Sequence, residues 1–274
     1  VAHTIDYARP GLLTDLTGVD PAVLAGLPAD PVGICRSVTS LIVHPMVTGD
    51  LVLPASRLED NQLRPAASII DALLRLDSAP LDVPRDPDRR VVGTCRHFVI
   101  VSCALLRHAG LAARARCGFG TYFRAGLALD HWITEYWHDG QNRWVRVDTQ
   151  HLEHGFTPRP HDLQPGEFLT GGEAWLAYRS GEADGASFGV DGTENFGPGE
   201  IRGNAVRDLA ALNKIEMLPW DEWGRMTASY QGETGADYDV LMDEIAAACA
   251  ADDADVVARL YASADLAVPR KLIR

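Results

Sequence analysis

The sequence predicts an α+β protein, and three observations carry that reading. A helical apolar period runs through Phe98, Val101, Leu105 and Ala109, two β-rich runs flank Asp139-Gly140, and no repeat of fixed period appears, which removes solenoids and propellers. The chain has 274 residues, enough for one large or two small domains at about 150 residues each. It is read as one domain over 1–274: an N-terminal helical segment at 1–87, a core at 88–157, and a loop-rich, then helical region at 158–274.

The first segment is broken by Pro10, Pro21, Pro28, Pro31, Pro45, Pro54 and Pro65. One helix is expected there, after Pro65, with Ala67, Ile70, Leu73, Leu74 and Leu76 at three-to-four spacing. Asp82 to Pro87 then reads as a polar connector. In the core, Thr94 is placed to cap a helix that starts at or near Cys95, and Gly110 is placed to end it. Ala112 to Phe119 reads as a strand. His131 to His138 and Asn142 to Asp148 read as a hairpin about Asp139-Gly140. From Pro158 a run of glycines through Gly199 reads as loops. Helices are expected at Asn204 to Met217, Asp237 to Ala250 and Asp252 to Ala262, each opened by a capping side chain.

Composition narrows the function. With 46% hydrophobic and 23% charged residues the chain folds by burial and is not disordered. Against 25 basic residues stand 38 acidic ones, a net charge of −13 that repels phosphate backbones and anionic headgroups, so nucleic acid is not an expected partner. The longest nearly apolar run, Phe98 to Leu106, falls well short of the roughly 20 residues that span a bilayer, so no membrane span is expected. Cys35, Cys95, Cys103, Cys117 and Cys249 are odd in number and form no CxxC pair, against a disulfide framework or a structural zinc site. A reducing, cytoplasmic compartment is the expectation. Val1-Ala2-His3 opens without a signal-peptide pattern, and a signal removed earlier stays an open alternative.

A hairpin with a two-residue turn at Asp139-Gly140 sets His131 directly opposite Asp148. Opposed residues hold their Cβ atoms about 4.5–5.5 Å apart on one face, within reach of a carboxylate–imidazole bond. Such a bond fixes the imidazole tautomer, leaves the other ring nitrogen to take a proton, and stabilises the cation that results. Cys95 supplies the nucleophile: it is the one cysteine expected at a helix N-terminus, where unpaired N–H groups and the helix dipole favour a thiolate. The Cys95 N–H also faces a developing oxyanion. Arg96 adds positive potential, though an adjacent helical residue usually faces elsewhere.

Gly93-Thr94-Cys95-Arg96-His97-Phe98, the phrase Leu106-Arg107-His108-Ala109-Gly110-Leu111-Ala112-Ala113-Arg114, His131 with Glu135 four positions on, and Trp144-Val145-Arg146-Val147-Asp148 together resemble the transglutaminase-like superfamily, in a bacterial form. The resemblance implies a papain-like thiol core, in which the helix bearing the cysteine packs on an antiparallel sheet, here elaborated by helical N- and C-terminal regions. It implies Cys95 as nucleophile, His131 as base and Asp148 as orienter. Two departures stand out. Trp132 follows His131 immediately, and no Trp precedes Cys95 to serve as second oxyanion donor. Asn61 and Gln62 are candidates for that role by chemistry alone. No calcium loop is present, and neither a cofactor nor a metal is expected.

Other features take plainer readings. Cys35, Cys103, Cys117 and Cys249 read as buried apolar residues. Glu135 reads as a sheet ion pair with Arg146 or Arg143. His151, His154, His161 and Glu153 read as a solvated Pro-rich loop, and Trp220 and Trp223 as helix-end packing. The expected activity is acyl transfer through a thioester on Cys95, cleaving an amide of a peptide or small molecule by hydrolysis or by transfer to an amine acceptor. The alternative is a catalytically silent binding or assembly protein that keeps the fold. Substrate and oligomeric state stay open.

Overall fold

A computed structural model describes residues 5–46 and 53–273, which divide between two units. The N-terminal unit comprises Asp6–Ala115 and Ile133–Leu163; the C-terminal unit comprises Val1–Ile5, Arg116–Trp132 and Gln164–Arg274. Helices and antiparallel strands occur in both. The division falls inside two strands, so neither unit coincides with the segments 1–87, 88–157 and 158–274.

In the N-terminal unit the prolines start helices as often as they interrupt the chain. Helix α1 (Pro21–Leu24) follows Asp20, and α2 (Pro31–Thr39) follows Asp30, whose carboxylate accepts from the Gly33 N–H at 2.7 Å. Proline at the first helical position gives up an N–H that has no partner there in any case. The prolines predict breaks and a single helix before residue 87; α1, α2 and α3 (Ala55–Leu58) correct that expectation. Strand β1 (Ile42–Val43) precedes α3, and α4 (Ala66–Leu76) follows Pro65 as expected, burying Ile69, Ile70, Ala72 and Leu73. Strand β2 (Val91–Val92) pairs in parallel with β1.

Helix α5 (Cys95–His108) starts on the residue the sequence indicated and is buried on every side from Cys95 to Arg107, packed by α2 and α4. It ends in a left-handed Gly110 (φ 79°), with Gly110 N–H donating to Arg107 and Leu111 N–H to Leu106. That pair of bonds satisfies carbonyls the helix itself leaves open. Strands β3 (Ala113–Gly120) and β4 (Ala128–His138) run from one unit into the other, and β5 (Arg143–Val147) completes the order β5-β4-β3 in this unit.

The C-terminal unit carries the far ends of β3 and β4. Strand β6 (Phe168–Thr170) pairs antiparallel with β3. Helix α6 (Gly171–Ser180) follows, and β7 (Phe188–Gly189) pairs in parallel with β4. Then come α7 (Pro198–Leu212), α8 (Met226–Tyr230), α9 (Ala236–Ala251), α10 (Ala254–Tyr261) and α11 (Arg270–Ile273), with α7 at the centre, packed by α6, α8 and α9. The glycine run expected as loops therefore holds two strands, one helix and the start of another. Glycine is used there for proximity: a Cβ on Gly171 would stand 2.4 Å from the Ala205 nitrogen of α7. Thr170 and Glu173 form a reciprocal cap on α6, at 3.2 and 2.7 Å. Side-chain capping holds for α10, where Asp253 accepts from Asp255 and Val256, but α7 and α9 open on Gly197 and Gly235. Among the described residues no helix is long and apolar enough to cross a membrane.

Candidate active site

Cys95 is the first residue of α5, directly after the cap residue Thr94, and is 7% exposed. The turn it heads is closed in an unusual way. His97, where a capping Glu or Gln commonly sits, accepts the Thr94 N–H on Nδ1 at 3.1 Å, with the Thr94 hydroxyl 3.3 Å away. An imidazole can accept there only while Nδ1 is unprotonated. Burial, reinforced by the Arg96 charge, holds His97 well below its usual range against the pull of the Leu63 and Asn61 carbonyls. Arg96 is fully buried and donates to the Leu63 carbonyl at 3.3 Å, so its charge is spent on the chain that covers α5. Residues 61–63 thus lie against the first turn of the helix. Asn61 is half-buried, and its Oδ1 finds no hydrogen-bond partner among the described residues, whereas Gln62 is exposed.

The β4–β5 register differs from the expected one. Asp139–Gln141 form a short 3₁₀ turn and Asn142 is left-handed (φ 49°), so four residues, not two, join the strands. His138 pairs with Arg143, Glu135 with Arg146 and Thr134 with Val147. Continued one step, that register sets Asp148 against Ile133. The directly opposed His131–Asp148 pair is therefore not formed: an extra pair of turn residues on the β5 side moves every partner by two positions, keeping the face and changing the neighbour.

Asp148 is fully buried just past the end of β5. Its N–H donates to the Pro160 carbonyl at 2.8 Å, and its carboxylate accepts from the His151 N–H at 3.2 Å and lies 3.0 Å from His151 Nδ1. His151 packs edge-on to Phe156 (5.0 Å) and His154 (5.5 Å). So an imidazole held by Asp148 is one the sequence reading left in a solvated loop. The signal was the i, i+3 spacing directly after a strand end, where a chain reversal returns the third residue to the first. Glu153, read with that loop, pairs instead with Arg36 at 2.8 Å on the surface.

His131 lies in the C-terminal unit, on the first half of β4. It is 3% exposed, its ring edge-on to Phe123 at 5.0 Å. Its neighbour Asp130 accepts from Asn204 Nδ2 at 2.7 Å, and alternation along the strand places His131 on the opposite face. Cys95 and Asp148 belong to the N-terminal unit.

Glu135 is an ion-pair residue, as expected, with one partner more: Arg114 at 2.6 Å and Arg146 at 3.0 Å, all in the N-terminal unit. The remaining cysteines are buried and form no disulfide among the described residues. Burial pushes the Cys35 thiol up to about 11, against the pull of the Thr149 and Ser102 hydroxyls. Trp223 is packing, its Nε1 donating to the Leu266 carbonyl at 2.9 Å, whereas Trp220 lines a cavity of the C-terminal unit.

Residues 77–149 match the model of the transglutaminase-like superfamily, a stretch that contains Cys95, His131 and Asp148. No curated protein matches the chain. Among solved structures, one from Cytophaga hutchinsonii described as a candidate cysteine protease is 14% identical, with a TM-score of 0.35 over 53% of this chain and 41% of that one. The chain thus spans about two-fifths of that protein.

Proposed function

We propose, on the premise that residues 77–149 are a transglutaminase-like segment, that the protein is a thiol enzyme that cleaves an amide through a thioester on Cys95. The observation that carries this reading is the place of Cys95: first residue of a fourteen-residue helix, inside that segment. At a helix start the N–H groups have no intrahelical partner and point at whatever charge develops there.

In the reaction the Cys95 sulfur attacks the amide carbon, and the carbonyl electrons move to an oxyanion that the Cys95 N–H and a second donor hold. The carbon–nitrogen bond then breaks as the protonated His131 gives its proton to the leaving amine. Asp148 acts as orienter. Water, losing its proton to His131, next attacks the thioester and releases a carboxylate and the free thiol; an amine in place of water yields a new amide. Asn61 is the favoured second donor, because it flanks the first turn of α5 and its side-chain amide carries N–H donors. Peptides and small amides are the substrate classes.

A second reading concerns the base. The 3.0 Å contact of Asp148 with His151 Nδ1 favours His151 in that role. A panel of peptide and small amides, followed by amine or acid release and by mass measurement of trapped adducts, tests both. The expected result is an adduct on Cys95 and a loss of at least about a thousandfold in turnover for Cys95→Ser. Of His131→Ala and His151→Ala, the one that matches that loss names the base. Full turnover in Cys95→Ser removes Cys95 from the reaction, and absence of turnover with adducts spread over the other cysteines returns the protein to the silent binding class.

A further inference from the structure

The C-terminal unit contains a cavity of about 790 Å³ that none of the proposed chemistry uses. Its size is that of a small-molecule pocket. Asp130, Glu200, Glu222 and Arg207 line it together with the rings of Phe196, Trp220 and Tyr230.

The hydrogen bonds of this wall show what is missing. Arg207, 3% exposed, donates to the Tyr230 hydroxyl (2.8 Å), to Asn204 Oδ1 (3.3 Å) and to the Asp221 carbonyl (3.3 Å). Arg202 is spent on Asp239 at 2.8 Å. The cations are committed to the protein; the acceptors are not. Glu200 receives no hydrogen bond from any described residue, and Asp130 receives one, from Asn204, on Oδ1. Glu222 accepts from Thr227 through Oε2 alone. Independently of the carboxylates, the hydroxyl of Ser229, a wall residue 3% exposed, has no partner among the described residues. A buried hydroxyl without a partner costs free energy that a bound donor would return.

We infer that this cavity is a binding site for an organic ammonium ion, an alkyl amine whose charged head is taken by Glu200 and whose stem lies along the rings of Phe196 and Trp220. An anion would find the arginines engaged and four carboxylates, Asp130, Glu194, Glu200 and Glu222, facing it. A divalent metal ion would gain no oxygen ligand from the rings of Phe196 and Trp220, which form the apolar part of the wall. A cation on an apolar stem uses both wall types, since ring faces attract ammonium groups. Burial pushes the Glu200 carboxyl up to about 7 against the pull of Arg207, with Asp130 and Glu222 adding to the rise. Tyr230, neutral at these pH values, faces the same group. An ammonium ion favours the charged carboxylate, so affinity rises with pH through that range.

Calorimetric titration of the full chain with n-pentylammonium chloride tests this, with 1-pentanol, sodium acetate and magnesium chloride as controls. The expected result is one pentylammonium site, at least about tenfold weaker for 1-pentanol and for Glu200→Gln, as loss of a charge-assisted hydrogen bond implies. The rise in affinity between about pH 6 and pH 8 should disappear in that variant. Trp220→Ala, on a residue 41% exposed, weakens binding a few-fold and keeps the test decisive if Glu200→Gln does not fold. Cys95→Ser should bind as the parent does. Equal binding of 1-pentanol, preference for acetate or magnesium, indifference to both pocket variants, or loss of the site in Cys95→Ser overturns the inference.

Discussion

Glu135 on β4 and Glu200 at the start of α7 lie one in each unit, the first fully buried and the second half-buried, and they are treated differently. Glu135 is 1% exposed and receives two guanidinium groups, Arg114 at 2.6 Å and Arg146 at 3.0 Å, with Arg114 also stacked over the Trp144 ring at 4.0 Å. Glu200 receives no donor among the described residues, and burial pushes its carboxyl up to about 7. Arg116 in the C-terminal unit repeats the first pattern, with both oxygens of Asp208 at 2.8–2.9 Å. The difference separates carboxylates engaged by arginines from one that receives no donor among the described residues. Burial alone marks neither as functional; the inventory of donors does.

Three substitutions sharpen this contrast. Glu135→Ala has the largest expected effect, because it removes the buried carboxylate shared by the buried Arg114 and the half-buried Arg146. Breaking such a network costs about 3–5 kcal/mol, to be read from urea unfolding. A loss under about 1 kcal/mol would mean that water reaches both arginines and that the two regions are alike. Gly203→Ala comes next. A Cβ there would stand 1.9 Å from the Tyr230 hydroxyl and 3.0 Å from Arg207 Nη1, so the phenol must move and the arginine loses its acceptor. Overpacking of this kind costs about 1–3 kcal/mol; an unchanged midpoint would show that Tyr230 relocates freely.

Glu200→Gln has the smallest effect and an unusual sign. The folded carboxyl titrates at about 7 and the unfolded one at 4.5, so the folded state binds the extra proton and stability falls as pH rises between those values. Replacing the acid with an amide removes that loss. The variant should melt a few degrees above the parent at about pH 8 and with it at about pH 4, where the parent carboxyl is protonated in both states. A variant less stable than its parent at the higher pH would mean that Glu200 is satisfied after all.

Much of the fold was legible because its signals are local. Thr94, Cys95 and Gly110 mark both ends of α5, Pro65 marks the start of α4, and the β-rich runs of β3, β4 and β5 stand within a few residues of their observed bounds. The errors came from residues with two uses. Asp30-Pro31 begins α2 although proline usually interrupts, and Gly171 opens α6 because α7 passes too close for a side chain. The candidate site was legible as residue types. The position of Cys95 followed from capping chemistry, while the neighbours of Asp148 did not, since the four-residue turn at Asp139–Asn142 differs from a two-residue one by backbone dihedrals that many sequences share.

What the sequence determined by itself is the chemistry on offer: a cysteine at a helix start, histidines and acids at strand positions, and a transglutaminase-like order over residues 77–149. Caps, turns and apolar periods act over a few residues, so they survive without knowledge of the rest of the chain. Tertiary structure alone decided that Asp148 holds His151 at 3.0 Å, that His97 would be buried as a neutral acceptor beneath Cys95, and that Glu200 would be half-buried with no donor among the described residues. Those outcomes depend on register and on desolvation, which groups distant in sequence impose on one another when the chain closes around them.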